Sequence, residues 1–277
     1  MTIQWYPGHM TKAKRMIEEA LKLVDGVLEV VDARVPQSSR NPNLQDLTAK
    51  PRLIVLSKVD LADPAKTEEW LGYWRSQGEK AVGVNLLQGQ GVSRLRSLVA
   101  RTFAGTKRLP RLMVVGIPNV GKSALINALT RRRAAQVGAR PGITRGKQWL
   151  SGEGMLLLDS PGILWPKFED QEVAKRLAAV GSIRDEVLDQ TGLASWLLEW
   201  LSEYYPQRLS ERYGRLGLGN ALEEIGRRRG CLFSGGKVDL NQAAALVLKD
   251  FRTGKLGAVT LDLSPSEVQG CSESKNT

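Results

Sequence analysis

Eight residues in the middle of the chain, Gly116-Ile117-Pro118-Asn119-Val120-Gly121-Lys122-Ser123, carry the spacing G-x-x-x-x-G-K-[ST]. Glycines at both ends let the backbone turn tightly, so that successive N–H groups curl into a cradle for the oxygens of a di- or triphosphate. The apolar run Leu112-Met113-Val114-Val115 before it reads as a buried strand, and Ala124-Leu125-Ile126-Asn127-Ala128-Leu129 after it reads as a helix. The positive end of that helix adds to the cradle. Lys122 would reach the β- and γ-phosphates as a point charge, and the Ser123 hydroxyl would take one position on Mg²⁺. Asn119, Val120, Gly121, Lys122, Ser123 and Ala124 are the expected nucleotide contacts of this loop.

Other residues have the spacing to complete such a site. The buried-type strand Arg52-Leu53-Ile54-Val55-Leu56 ends in Ser57-Lys58-Val59-Asp60, close to N-K-x-D, by which a protein reads guanine. A carboxylate at Asp60 would accept from both the ring N–H and the exocyclic amine of guanine, a donor pair adenine does not offer. Lys58 would lay its stem along the base. Ser57 stands where asparagine is usual, with a shorter side chain and no amide. Asn85 follows a further strand, Ala81 to Val84. Downstream, the basic, glycine-rich segment 138–146 suits a switch ordered only around a metal and a γ-phosphate, with Thr144 as the hydroxyl that closes on Mg²⁺. A strand over 155–158 then ends in Asp159-Ser160-Pro161-Gly162. Asp159 fits a metal-holding carboxylate, and the Gly162 N–H, unobstructed by a side chain, can approach the γ-phosphate. The expected metal set is Ser123, Thr144 and Asp159, and the groups around the reacting phosphate are Lys122, Thr144 and Gly162.

The elements that must position these residues alternate up to the second switch. Thr11 is a candidate N-cap for a basic amphipathic helix over Lys12 to Leu23. A strand over Gly26 to Asp32 runs into Asp-Ala-Arg-Val-Pro and a polar loop at 36–43, followed by a short helix. Asp63-Pro64 opens a helix carrying Trp70, Leu71 and Trp74, and Val92 to Phe103 forms another. Residues 104–110 read as a linker. Residues 147–151 and 155–158 read as an antiparallel pair. From Asp170 the pattern is helical throughout: 171–180, 193–204, 206–213, 218–229 and 241–252, the last capped by Asp239 or Asn241. The expected division is 1–167 with a leader at 1–24, then 168–264, then a disordered tail at 265–277.

A chain of 277 residues accommodates two domains, and a net charge of +11 calls for a polyanionic partner, nucleic acid first. Arg227-Arg228-Arg229 with Lys249, Arg252 and Lys255 form the candidate contact set. No apolar run approaches a membrane span, and the N-terminus lacks the apolar core of a signal peptide, so the expected compartment is the cytoplasm with no membrane partner. Cys231, Cys271 and a single histidine do not make a secreted disulfide framework or a four-ligand zinc site.

The order of the motifs is unusual. In ordinary GTPases the phosphate loop comes first and the guanine-reading element follows Asp-x-Pro-Gly, whereas here Ser57 to Asp60 and Asn85 precede Gly116. A parallel sheet tolerates such a rearrangement when the old termini lie close together and 104–110 joins them. The chain resembles the ribosome biogenesis GTPase A (YlqF-like) family of circularly permuted GTPases. The resemblance lies in Trp5-Tyr6-Pro7-Gly8-His9-Met10, Val31-Asp32-Ala33-Arg34-Val35-Pro36, Ser57 to Asp60, Gly116 to Ser123, Pro141 to Thr144 and Asp159 to Gly162. It extends through Asp170-Gln171-Glu172 and Tyr205-Pro206-Gln207-Arg208-Leu209.

It implies an α/β fold, a circularly permuted P-loop GTPase domain with a mostly parallel sheet, followed by an all-α domain that contacts rRNA. It implies GTP and GDP as ligands, Mg²⁺, and K⁺ beside the phosphates through Asn119. It further implies hydrolysis during late maturation of the large ribosomal subunit, stimulated by the particle, with a monomer off the ribosome. Ile163 occupies the place where many GTPases keep a water-orienting glutamine, and the resemblance implies His9 in that role. Two rivals are a P-loop ATPase, or a GTPase serving another structured RNA, and a nucleotide-regulated RNA-binding module without turnover.

Overall fold

The computed structural model describes residues 10–41, 44, 48–130, 148–159, 170–217 and 219–268. They divide into two compact units, Gln4–Phe168 with Thr260–Thr277, and Glu169–Val259.

The first unit is built on a six-stranded sheet ordered β3-β2-β1-β4-β6-β5. Its strands are β1 (Gly26–Asp32), β2 (Arg52–Ser57), β3 (Lys80–Val84), β4 (Arg111–Val115), β5 (Gln148–Gly152) and β6 (Met155–Asp159). All neighbours run parallel except β5 against β6. Continuous apolar runs such as Leu53-Ile54-Val55-Leu56 suit strands covered on both faces, and β1 is buried at every position. Helices α1 (Met10–Leu21), α2 (Pro64–Ser76), α3 (Val92–Thr102) and α4 (Lys122–Thr130) belong to this unit. From α1, Ile17, Ala20 and Leu21 enter a cluster with Val27, Met113, Val115 and Leu158. From α2, Trp70, Leu71 and Trp74 pack with Val31, Ile54 and Leu56.

Register decides where chemistry is possible. Asp32 lies abreast of Ser57, Ser57 abreast of Val84, and Val114 abreast of Asp159. The motif-bearing residues thus collect at the carboxyl ends of the parallel strands, the edge at which open α/β sheets bind ligands. β1 and β4, with β2, α2, β3 and α3 between them in the chain, are hydrogen-bonded neighbours. The permuted order therefore leaves β2, which leads into Ser57-Lys58-Val59-Asp60, and the phosphate-loop strand β4 flanking β1.

The second unit contains α5 (Gln171–Ala179), a 3-10 turn at Asp185–Val187, α6 (Gln190–Tyr204), α7 (Pro206–Tyr213), α8 (Ala221–Arg228) and α9 (Leu240–Arg252). Aspartates start three of these helices. Asp170 accepts from Glu172 N at 2.7 Å, Asp189 from Gly192 N at 2.9 Å, and Asp239 from Asn241 N and Gln242 N at 3.0 Å each. Leu193, Leu197, Leu201, Leu222, Ile225, Val247, Leu248 and Phe251 are among its buried residues.

Four sequence expectations need correction. Thr11 is inside α1, which begins at Met10, and so does not cap it. The helix expected from Leu218 begins at Ala221, because Gly219, at φ +88°, and Asn220 turn the chain first. The segment after Val259 does not belong with the helices, and a disordered tail does not begin at 265. Thr260 onward returns to the sheet unit, and 265–268 is a helical turn hydrogen-bonded to α2.

Candidate functional site

The phosphate loop leaves β4 through backbone that tolerates almost no substitution. Gly116 has φ +153°, and a Cβ there would run into the carbonyl oxygen of Val30 on β1. Asn119 adopts the left-handed region at φ +62°, a conformation asparagine accepts more readily than most residues. The Lys122 ammonium sits in the hollow of the loop, donating to Gly116 O at 3.0 Å and Ile117 O at 2.8 Å. Burial brings its pKa down to about 8, against the opposing pull of the Asp159 carboxylate. A buried cation whose hydrogen-bond partners among the described residues are carbonyl oxygens is poised to gain from an arriving polyphosphate.

The segment Ser57-Lys58-Val59-Asp60 at the end of β2 is wired into this loop. The Ser57 hydroxyl lies within hydrogen-bonding reach of Val31 O at 3.0 Å and of Val120 O in the phosphate loop. Lys58, at φ +57°, sends its ammonium to Asn119 O at 2.6 Å and to Asp32 Oδ2 at 2.7 Å. Both residues therefore bridge from β2 across β1 to the loop after β4. Asp60, two residues on, is exposed and available to a base. Asn85 folds its loop back on itself, its side-chain oxygen accepting from Leu87 N at 3.0 Å and Gln88 N at 3.2 Å.

Asp32 and Arg34 belong to this site, although sequence reasoning gave them no role. Arg34 donates to both Asp32 oxygens, from Nε at 2.9 Å and from Nη2 at 2.8 Å, and both side chains are almost wholly buried. Burial alone would push the Asp32 carboxyl up. The Arg34 and Lys58 charges outweigh that and hold it well below the usual carboxylate range. Desolvation in turn draws the Lys58 ammonium below its ordinary value, with Asp32 opposing. The available signal was an aspartate and an arginine two residues apart at the end of a mostly apolar strand that is buried throughout, where mutual pairing makes such burial tolerable.

Ser57, Lys58, Asp60, Asn85, Asn119, Val120, Gly121, Lys122, Ser123, Ala124 and Asp159 are therefore found along the carboxyl edge of one sheet. His9, Thr144 and Gly162 lie outside the described residues. The donors that would face a metal, Ser123 and the buried Asp159, are oxygens, a set that fits a hard cation such as Mg²⁺. In the helical unit the basic residues divide by role. Arg252 is committed internally, to Ala178 O at 2.9 Å, Ala179 O at 3.0 Å and the Asp185 carboxylate. Arg228 donates to Tyr213 O, and Arg229 lies over the Tyr213 ring and donates to Arg212 O. Arg227, Lys249 and Lys255 are exposed.

Residues 111–203 match a family described as "50S ribosome-binding GTPase". "Ribosome biogenesis GTPase A" of Priestia megaterium is 46% identical over 97% of this chain and 99% of its own. The chain belongs to the ribosome biogenesis GTPase A (YlqF-like) family. It is an α/β P-loop GTPase that binds and hydrolyses GTP. Similarity extends to "Mitochondrial ribosome-associated GTPase 1" of Xenopus tropicalis, 34% identical over 93% of this chain and 94% of the relative. The solved structure of GNP-bound YlqF from T. maritima superposes with a TM-score of 0.70 at 30% identity, covering 92% of this chain and 99% of that one. Among the described residues, no helix is long and apolar enough to cross a membrane.

Proposed function

We propose that this GTPase is an assembly factor acting late in maturation of the large ribosomal subunit, holding rRNA in a manner that depends on its bound nucleotide. The observation that carries the nucleotide part is the pair of tethers from Ser57 and Lys58 to Val120 and Asn119, which locks the base-reading element to the phosphate cradle. Ser57 serves this tether, so its lack of an amide is no argument for an ATPase. The ribosomal part draws on relatives named for ribosome biogenesis and on the net charge of +11. Exposed Arg227, Lys249 and Lys255 would meet phosphates of the RNA.

In the reaction, Lys122 exchanges its two carbonyl partners for β- and γ-phosphate oxygens, where its charge offsets what develops in the transition state. Ser123, Thr144 and Asp159 would hold Mg²⁺, which would supply positive charge to offset that of the phosphates. Asn119 would hold K⁺ beside the phosphates, and the Gly162 N–H would meet the γ-phosphate. His9 would orient the attacking water in the particle-bound state, since an imidazole accepts and donates near neutral pH. GTP turnover measured with and without large-subunit particles, for wild type and His9→Ala, tests this. Particles should accelerate the wild type, and His9→Ala should lose about a hundredfold of the stimulated rate. Turnover indifferent to particles would remove the ribosomal reading.

A further inference from the structure

The chain enters the sheet unit a second time. After α9 it runs through 253–259 and arrives at Thr260, and Thr260, Leu261, Asp262 and Ser264 are all buried. The Thr260 hydroxyl accepts from Asp63 N at 3.1 Å and reaches Ala33 O at 3.4 Å. It thereby joins the loop that leaves β1 to the turn that follows Asp60. Leu261 N donates to Arg34 O at 2.6 Å. Asp262 Oδ2 accepts from Gln37 N at 2.7 Å and Ser38 N at 2.8 Å, and Oδ1 from the Ser38 hydroxyl at 2.5 Å. Farther on, Glu267 pairs with Lys66 of α2 at 2.8 Å, and Ser266 N donates to Glu69 at 2.9 Å.

These bonds go to 33–38 and 63–69, the segments that flank the base-reading residues. A buried carboxylate receiving two N–H groups and a hydroxyl is a strong, oriented acceptor, because charge-assisted bonds in a low-dielectric setting exceed neutral ones. Arg34, whose carbonyl the segment takes, grips Asp32, and Asp32 grips Lys58. Asp63, whose N–H it also takes, lies three residues beyond Asp60.

We infer that residues 260–267 are a clasp that sets guanine selectivity, fixing Lys58 through Arg34 and Asp32 and fixing Asp60 through the turn at Asp63. Asp262 and Thr260 are positioning residues, since neither touches nucleotide. The clasp bears directly on the base end of the site and meets the loop after β4 only at second hand, through the Lys58 bond to Asn119 O. It also makes selectivity depend on the chain downstream of the helical unit, so that anything pulling on 253–259 acts on the base-reading edge. This rests on reading Ser57 to Asp60 as the guanine-reading element.

Affinities of the full chain for GDP and ADP, with thermal unfolding in parallel, test it. Asp262→Ala should weaken GDP on the order of tenfold and change ADP by less than about twofold, so that discrimination narrows. Ser38→Ala removes one hydroxyl and leaves Asp262 its two N–H donors, so it should narrow discrimination in the same direction by less. That variant carries the test if Asp262→Ala does not fold. A purely structural segment would lower the melting temperature while GDP and ADP affinities held or fell together, and that result overturns the clasp. A wild type indifferent to the base overturns the reading of Ser57 to Asp60 and the clasp with it. Discrimination that survives both variants overturns the clasp alone.

Discussion

Ser57 shows how a departure from a motif can preserve the physical role of the residue it replaces. Its hydroxyl reaches Val31 O and Val120 O, so β2 stays tied to the phosphate loop without an asparagine. One net hydrogen bond is worth about 1 kcal/mol, and Ser57→Ala should therefore weaken GDP about fivefold while leaving the fold intact. Calorimetric titration gives the number, and unchanged affinity would show the tether to be idle. Asp32 allows a sharper test, because its carboxyl is held below the ordinary value of 3.8 by Arg34 and Lys58. At neutral pH, Asp32→Asn leaves the buried Arg34 and the part-buried Lys58 without their counter-charge, at a cost of about 3 kcal/mol. A depressed carboxylate contributes stability that is fully present above its unfolded pKa and is lost as pH falls through its folded one. The gap between wild type and Asp32→Asn in urea unfolding should therefore be equal at pH 7 and pH 5 and shrink below about pH 4. Shrinkage already between pH 7 and pH 5 would rule out this carboxylate as the source.

At the level of elements, legibility followed the range of the forces involved. Pro206 at the first position of α7 and Gly214 just past its end made that helix readable to the residue, and Asp239 announced α9. Strands β1, β2 and β4 were legible because continuous apolar runs bounded by turns have few other uses. What local pattern could not reveal is pairing over distance. Asp262 and Ser38 are 224 residues apart, and the segment around Asp262 reads as the end of the helical region until its partners are known. Likewise, Lys58 was legible as part of a motif, but its grip on Asp32, 26 residues away, was not. Gly116 lies between the two cases, since its motif called for glycine and the sheet supplies the reason. With φ +153° and Val30 O against the missing Cβ, Gly116→Ala should destabilise the chain by at least about 2 kcal/mol, strain and lost β1–β4 contact together. A loss under about 0.5 kcal/mol in denaturant unfolding would mean that the loop re-forms around alanine.

For the whole molecule, permutation places the helical unit between two stretches of the nucleotide unit. The chain leaves β6 at Asp159, a residue facing Lys122 electrostatically, and comes back at Thr260 beside the base-reading edge. A ligand shifts an equilibrium only by its differential affinity for the two states, so the proposed RNA holding responds to a γ-phosphate only if one state binds it more tightly. The proposed switch residues Thr144 and Gly162 flank Asp159 in the chain. GTP should accordingly favour the particle-bound state, and hydrolysis should release it. Affinity for large-subunit particles, measured at fixed salt with a non-hydrolysable GTP analogue and with GDP, should differ by about tenfold or more, a coupling of at least 1.4 kcal/mol. Salt must be held constant because the phosphate contacts expected of exposed Arg227, Lys249 and Lys255 weaken steeply with ionic strength whichever nucleotide is bound. Raising salt should therefore weaken both states by the same factor and preserve their ratio. Equal affinities with the two nucleotides would uncouple the phosphate site from the RNA and leave the helical unit a passive anchor.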